Sequence, residues 1–216
     1  KALALVLRVT EFSETSCVVR LFTREFGKLH ALAKGARRPK GPFEGALDLI
    51  CLCRVVFLRK SSDALDLVTE ARLERRFRTP GRELSRLYAA YYVAELLDVL
   101  TDRDDPHPEL FDAANETLVA LAGGGPVARW TFHWELTAVR LLGHLPMLDA
   151  CAECGEPIPR AGRSAFGQLS GGLLCRRCRP GKTQVVSLSE SATDWLRRLS
   201  DPASGEWLSE PLDRGV

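Results

Sequence analysis

Along the first 75 residues, apolar side chains recur at every second position or run on continuously, with short polar turns between them. Period-2 patterns and short apolar runs are the mark of strands. Ala2–Thr10, Ser16–Thr23, Gly27–Lys34, Ala46–Arg59 and Ala64–Leu73 therefore read as five strands. Their connections are short apart from Gly35–Glu44, which holds two prolines and two glycines. Five strands in this length suffice to close a small barrel. An OB-type barrel is one closure; an SH3-like barrel or a small sandwich satisfies the same pattern.

From Thr79 the spacing turns helical. Thr79 is placed to cap and Pro80 suits a first helical position, after which Leu84, Leu87, Tyr88 and Tyr91 share a face. A second helix is expected from Pro108, with Phe111, Ala114, Leu118 and Leu121 inward, until Gly123-Gly124-Gly125 stops it. A third starts near Pro126, carries Val127, Trp130, Trp134, Thr137 and Leu141 on one stripe, and ends at Gly143. Further on, Ser187-Leu-Ser-Glu190 reads as a capping box that opens a helix with Trp195 and Leu199. Strands followed by helices predict an α+β, multidomain chain.

The chain has 216 residues, 45% apolar and 27% charged, a balance that supports a real core. That excludes a disordered tail, a collagen-like repeat and a disulfide-packed miniprotein. No apolar run approaches the roughly 20 residues of a bilayer crossing. The sequence begins at Lys1 with no charged, then apolar, then small-residue leader, so a cytoplasmic protein is expected. The net charge of +2 conceals an uneven distribution. Residues 1–80 hold sixteen Lys and Arg against nine acids, residues 81–150 five against eleven, and residues 151–216 nine against eight. A basic front end joined to an acidic middle points to separate tasks, with a polyanion as the natural partner of the front; a merely solvated surface is the other reading.

Four of the seven cysteines form two pairs, Cys151-Ala-Glu-Cys154 and Cys175-Arg-Arg-Cys178, twenty residues apart. A two-residue gap lets a tight turn aim both sulfurs at one ion, and four thiolates complete a tetrahedron. Gly155, Gly171 and Gly172 supply flexible backbone beside the pairs. Two disulfides are the alternative; without a secretion signal, one structural zinc is expected. Four sulfur ligands leave no open position for water, which argues against catalytic zinc. Cys17, Cys51 and Cys53 read as small buried hydrophobes.

The densest positive segment, Gly27–Pro42, carries Lys28, Lys34, Arg37, Arg38 and Lys40 and no acid before Pro42. Alternation places Lys28, His30 and Lys34 on one strand face, running into a loop that Pro39 and Pro42 hold extended. Such a track fits a phosphate backbone. A cationic edge that resists strand pairing is the bland alternative. Phe12, Phe22, Phe26 and Phe43 are the candidates for stacking on bases. Catalytic machinery is not evident. No phosphate loop ends in Gly-Lys-Ser or Gly-Lys-Thr, His133-Trp-Glu135 lacks a second helical histidine, and no Ser-His-Asp or Cys-His set assembles.

The run Gly27-Lys-Leu-His-Ala-Leu-Ala-Lys-Gly-Ala-Arg-Arg-Pro-Lys40 resembles the signature of the bacterial recombination protein O (RecO) family. Thr69-Glu-Ala, Tyr91-Tyr-Val-Ala-Glu-Leu-Leu and Pro108-Glu-Leu-Phe fit the same family, as do the Leu141–Gly155 run and Gly172-Leu-Leu-Cys175. The resemblance implies an OB-fold over residues 1–78 and a helical domain over 79–216, with a zinc module at 147–182 held by Cys151, Cys154, Cys175 and Cys178. It implies a non-catalytic mediator of recombinational repair that binds single- and double-stranded DNA, anneals complementary strands and helps load the recombinase RecA. RecR, RecF in some bacteria, and the tail of single-stranded-DNA-binding protein are the implied partners. Membrane and nucleotide are not, and the implied location is cytoplasmic and nucleoid-associated. Carried to matching positions, Lys28, Lys34, Arg37, Arg38 and Lys40 become the DNA contacts, with Arg8 and Arg20 added. Some members lack the cysteines, so zinc reads as a staple of the fold. After Leu199 the chain departs from the family's further helix and basic end. The rival class is a zinc-stabilised protein-interaction adaptor without annealing activity.

Overall fold

The computed structural model describes residues 1–38, 41–43, 45–60, 64–79, 81 and 83–200, with Leu199 described in its backbone only. The chain divides into two compact units, Lys1–Trp134 and Glu135–Val216. In the first, β1 (Ala2–Glu11), β2 (Cys17–Thr23), β3 (Gly27–Ala33), β4 (Leu52–Leu58) and β5 (Asp66–Arg75) close a barrel in the order β1-β2-β3-β5-β4. Neighbours run antiparallel except β3 and β5, which pair in parallel through Ala31–Asp66, Leu32–Leu67 and Ala33–Val68. That order and closure are those of an OB-type barrel, among the three closures the sequence pattern allowed.

The barrel interior takes alternate residues of each strand. Ala2, Ala4 and Val6, Val19 and Leu21, Leu29 and Ala31, and Cys53 and Val55 all point inward. So many alanines suit the narrow bore of a five-stranded barrel. Cys17, Cys51 and Cys53 belong to this core, and burial pushes their thiols up, Cys53 to about 12. The run through β1 is continuous rather than alternating because its other face is buried too: Leu5 and Leu7 lie outside the barrel core yet are 2% and 7% exposed. A helix, α1 (Leu84–Leu100), packs over β1. A second, α2 (Pro108–Ala122), packs on β2, its Phe111 ring stacked 6.2 Å from that of Phe22.

Three expectations need correction here. The fourth strand begins at Leu52, not Ala46, because Phe43, Ala46, Leu47 and Ile50 form consecutive turns whose side chains are buried in the barrel end. The apolar face of α1 is Ala89, Ala90, Val93, Ala94 and Leu97, whereas Leu84 and Tyr88 stand 61% and 63% exposed. Small side chains let a helix lie close to a strand; the bulky ones are left outside. Helix α1 also starts at Leu84, with Glu83 before it making no side-chain cap, and Pro80 falls outside the described residues.

Helix α3 (Val127–Leu141) buries Trp130, Trp134, Thr137 and Ala138, close to the predicted stripe, and spans the division between the units. The second unit then builds a three-stranded sheet, β7-β6-β8, from β6 (Ser164–Gly167), β7 (Gly172–Leu174) and β8 (Val185–Leu188). It ends its described part with α4 (Glu190–Ser200). The cap of α4 is Ser189, whose hydroxyl accepts the Ala192 N–H at 3.1 Å; Ser187 lies within β8 instead. Among the described residues no helix is long and apolar enough to cross a membrane.

Candidate nucleic-acid interface and metal centre

Lys28, the second residue of β3, has its side chain turned out of the barrel, as alternation requires, but the end of α1 covers it and leaves it 8% exposed. Its ammonium donates to the carbonyl oxygens of Asp98 at 2.6 Å and Thr101 at 2.5 Å, and lies 3.6 Å from the Asp98 carboxylate. These oxygens belong to the C-terminal end of α1, whose last turn has no basic residue of its own. Lys28 thus satisfies a helix terminus, a role other than the phosphate contact expected of it. Arg20 lies 2.5 Å from the other oxygen of Asp98, with its side chain 36% exposed. Arg8 stands opposite Arg20 across β1 and β2 and is exposed. His30, next in that row, has a buried Nε2 without a hydrogen-bond partner among the described residues. Burial, then the charges of Arg20, Lys28 and Arg103, hold its imidazole below the ordinary value against the pull of Asp98.

The exposed cations gather at another place. Lys34, Arg37 and Arg38 are all exposed in the turn after β3. Hydrogen bonds from Gly35 N–H to the Ser16 hydroxyl (3.3 Å) and from Arg37 N–H to the Thr15 carbonyl (3.0 Å) tie this turn to the one joining β1 and β2. Phe12, on that second turn, is 64% exposed. The other stacking candidates are occupied: Phe22 and Phe43 are buried, and Phe26 meets Phe57 edge-on at 5.5 Å with Arg59 over its ring. Two linked turns therefore present three cations and one open aromatic ring. Arg37 also meets Glu11 at 3.2 Å, a pair too exposed to hold it firmly. Lys34 and Arg38 pair with no acid among the described residues. Lys40 lies outside the described residues. The residue that sequence reasoning missed is Asp98, seventy positions from Lys28, with no local pattern to announce the pairing.

In the second unit the four cysteines converge. Their sulfurs all lie within 4.8 Å of one another, and those of Cys154 and Cys175 are 3.8 Å apart. A disulfide would bring two sulfurs to about 2.05 Å. Metal–sulfur bonds of about 2.3 Å in a regular tetrahedron give edges of about 3.8 Å, so the cluster has the span to hold a metal ion. Burial alone would push the Cys151 thiol up, but backbone N–H groups of Cys175, Cys154 and Glu153 aim at its sulfur and bring it down to about 6. Sulfur–sulfur contacts with Cys154 and Cys175 push Cys178 up to about 12, a crowding that a cation would relieve. Strands β6 and β7 carry the segment between the pairs, and Gly172 lies so close to Met147 that a Cβ would sit 2.5 Å from its carbonyl oxygen.

Two family models together cover most of the chain, and the boundary between them falls inside the first compact unit. Residues 1–77 match the family model described as recombination protein O N terminal, and residues 81–214 match recombination protein O C terminal. The DNA repair protein RecO of Rhodopirellula baltica is 46% identical over 199 residues, covering 92% of this chain and 74% of that protein. The RecO of Anaeromyxobacter sp. strain K is 36% identical over 98% of this chain and 83% of its own length. That of Syntrophus aciditrophicus is 31% identical over 85% and 72%.

Proposed function

Because the chain belongs to the recombination protein O family, we propose that it is a non-catalytic mediator of DNA repair that binds single- and double-stranded DNA and anneals complementary strands. In this reading it also helps load RecA onto strands coated by single-stranded-DNA-binding protein, together with RecR and, in some bacteria, RecF. The observation that carries the DNA-binding part is the pair of linked turns bearing Phe12, Lys34, Arg37 and Arg38. Cations track the phosphates while an exposed ring offers a stacking surface to any base, so binding is indifferent to sequence. Lys40 and Arg8 are further phosphate contacts in the proposal; Lys28 and Arg20 are not. The barrel of residues 1–78 carries DNA binding in this reading, and the protein is cytoplasmic and nucleoid-associated.

The ion held by Cys151, Cys154, Cys175 and Cys178 is read as zinc, since an all-thiolate tetrahedral donor set suits it. Zinc supplies no reaction step here; it staples residues 147–182. An adaptor that never touches DNA is the second reading, favoured by the exposed Leu84 and Tyr88 of α1. Annealing of two labelled complementary oligonucleotides, followed by fluorescence transfer, separates the two. The intact protein should accelerate pairing, and Arg37→Ala with Arg38→Ala should lose most of that gain. The same pair should lower the single-strand salt slope by about 1.4, at roughly 0.7 per phosphate contact. Acceleration that survives in the folded double variant would remove the linked turns from the mechanism. No acceleration at all would favour the adaptor.

A further inference from the structure

The metal-binding segment carries a charge pattern that the barrel surface leaves unused. Between Cys151 and Lys182 there are five arginines and one lysine against two glutamates. Four thiolates on a divalent ion contribute −2, so six cations less two glutamates less two leaves the segment at +2. Arg163, Arg176, Arg177 and Arg179 line a single groove of about 560 Å³, along with Ile158 and Leu174. Two of the four are engaged, Arg177 with Glu156 at 2.6 Å and Arg163 with the Ser187 hydroxyl at 3.1 Å. Arg176 and Arg179 are exposed and pair with no acid among the described residues. Their backbone is nonetheless fixed, because the Cys178 and Arg179 N–H groups both donate to the Cys175 carbonyl, at 3.2 and 3.0 Å.

We infer that this groove binds the phosphodiester backbone of a nucleic-acid strand, as a strand site additional to the barrel turns. The inference rests on the DNA-binding reading above and deepens it. Guanidinium groups present planar forks that match phosphate oxygens two at a time, and all four cations of the groove are arginines. Ile158 and Leu174 give it apolar wall against which a sugar or base can lie. An annealing protein must also hold two strands, and one linear track accommodates one. Anchoring Arg176 and Arg179 on a metal knuckle reduces the ordering that phosphate binding has to impose.

The test is fluorescence anisotropy of a labelled oligothymidylate against salt, on the full metal-replete chain. Arg176→Ala with Arg179→Ala should lower the slope of log K against log salt by about 1.4, about a sevenfold smaller affinity loss between 50 and 200 mM. The double lysine variant should keep the slope, and one bound metal per chain in every variant certifies the fold. An unchanged slope in the metal-replete alanine pair overturns the inference. If Arg37→Ala with Arg38→Ala still flattens the slope, the barrel reading stands without it. If the intact protein binds no oligonucleotide, the earlier reading fails and this one with it. A poly-glutamate peptide is the third arm: should it lose affinity on the alanine pair while the oligonucleotide does not, the groove is a protein dock and the inference falls.

Discussion

A lysine and an arginine at two helix ends show how residue chemistry in this chain is decided by distant neighbours. Lys28 caps the end of α1, and Arg86, on α1 itself, donates to the carbonyls of Leu121, Gly124 and Gly125 at the end of α2. Neither helix has a basic residue in its last turn, so cations from elsewhere meet the negative helix ends. Lys28→Ala should therefore cost about 3 kcal/mol in urea unfolding, since it leaves the Asp98 and Thr101 carbonyls at the end of α1 without their donor and Asp98 with Arg20 alone. The salt slope of DNA binding by the folded variant should not move. His30 gives a pH signature. Its folded pKa lies below the unfolded value, so the unfolded chain binds the proton more readily. Stability is full above the unfolded value of about 6.5 and declines as pH falls through it toward the lowered folded value. Urea midpoints between pH 5 and 7.5 should show that decline, and His30→Gln should flatten it.

Among elements, α2 was the most legible and α1 the least. The spacing of Phe111, Ala114, Leu118 and Leu121 put large side chains at helical intervals between Pro108 and a triple glycine, and all four are buried. Phe111→Ala should cost about 3–5 kcal/mol by denaturant unfolding, because it removes a 1% exposed ring and opens Phe22 beneath it. A cost under about 1 kcal/mol would mean that α2 is not seated on β2. In α1 the tyrosines outweighed the alanines as a hydrophobic signal, yet close approach to a strand favours the small residues. The buried turns of Phe43, Ala46, Leu47 and Ile50 were hidden for a related reason, since buried turns and buried strands have equally apolar composition. Strands β6, β7 and β8 are three or four residues long, too short for a period-2 pattern to register. The cysteine pairs were plain in sequence because a metal fixes spacing locally, whereas the Arg20–Asp98–Lys28 cluster unites residues from three elements.

For the whole molecule, two units imply two responses to metal removal. A chelator should abolish amide hydrogen-exchange protection from Cys151 to Cys178 while β1–β5 keep theirs; protection retained in the cysteine segment would mean that it folds without an ion. The basic front and acidic middle read from composition meet inside one unit, where Arg20 and Lys28 take Asp98 and Arg24 takes Asp112 through two 2.9 Å hydrogen bonds. Charge segregation along the sequence was thus partly an internal complementarity, which a sum over segments cannot distinguish from attraction to a partner. Backbone is engaged as well: the Asp104 N–H donates to the Lys28 carbonyl at 3.0 Å, and Gly27, at φ +69°, passes so near Asp105 that a Cβ would stand 2.1 Å from its carbonyl oxygen. The covering of β1 to β3 by residues from α1 to α2 has an order in time. During synthesis the ring of strands can close once Arg75 has left the ribosome, but α2 is complete only at Ala122, 47 residues later. At about 5–20 residues per second that is an interval of roughly 2–9 s. Leu5 and Leu7 can be covered once α1 is complete at Leu100, but through those seconds Phe22 stays bare on the flank of the closed ring, a greasy patch for whatever chaperone waits at the exit tunnel.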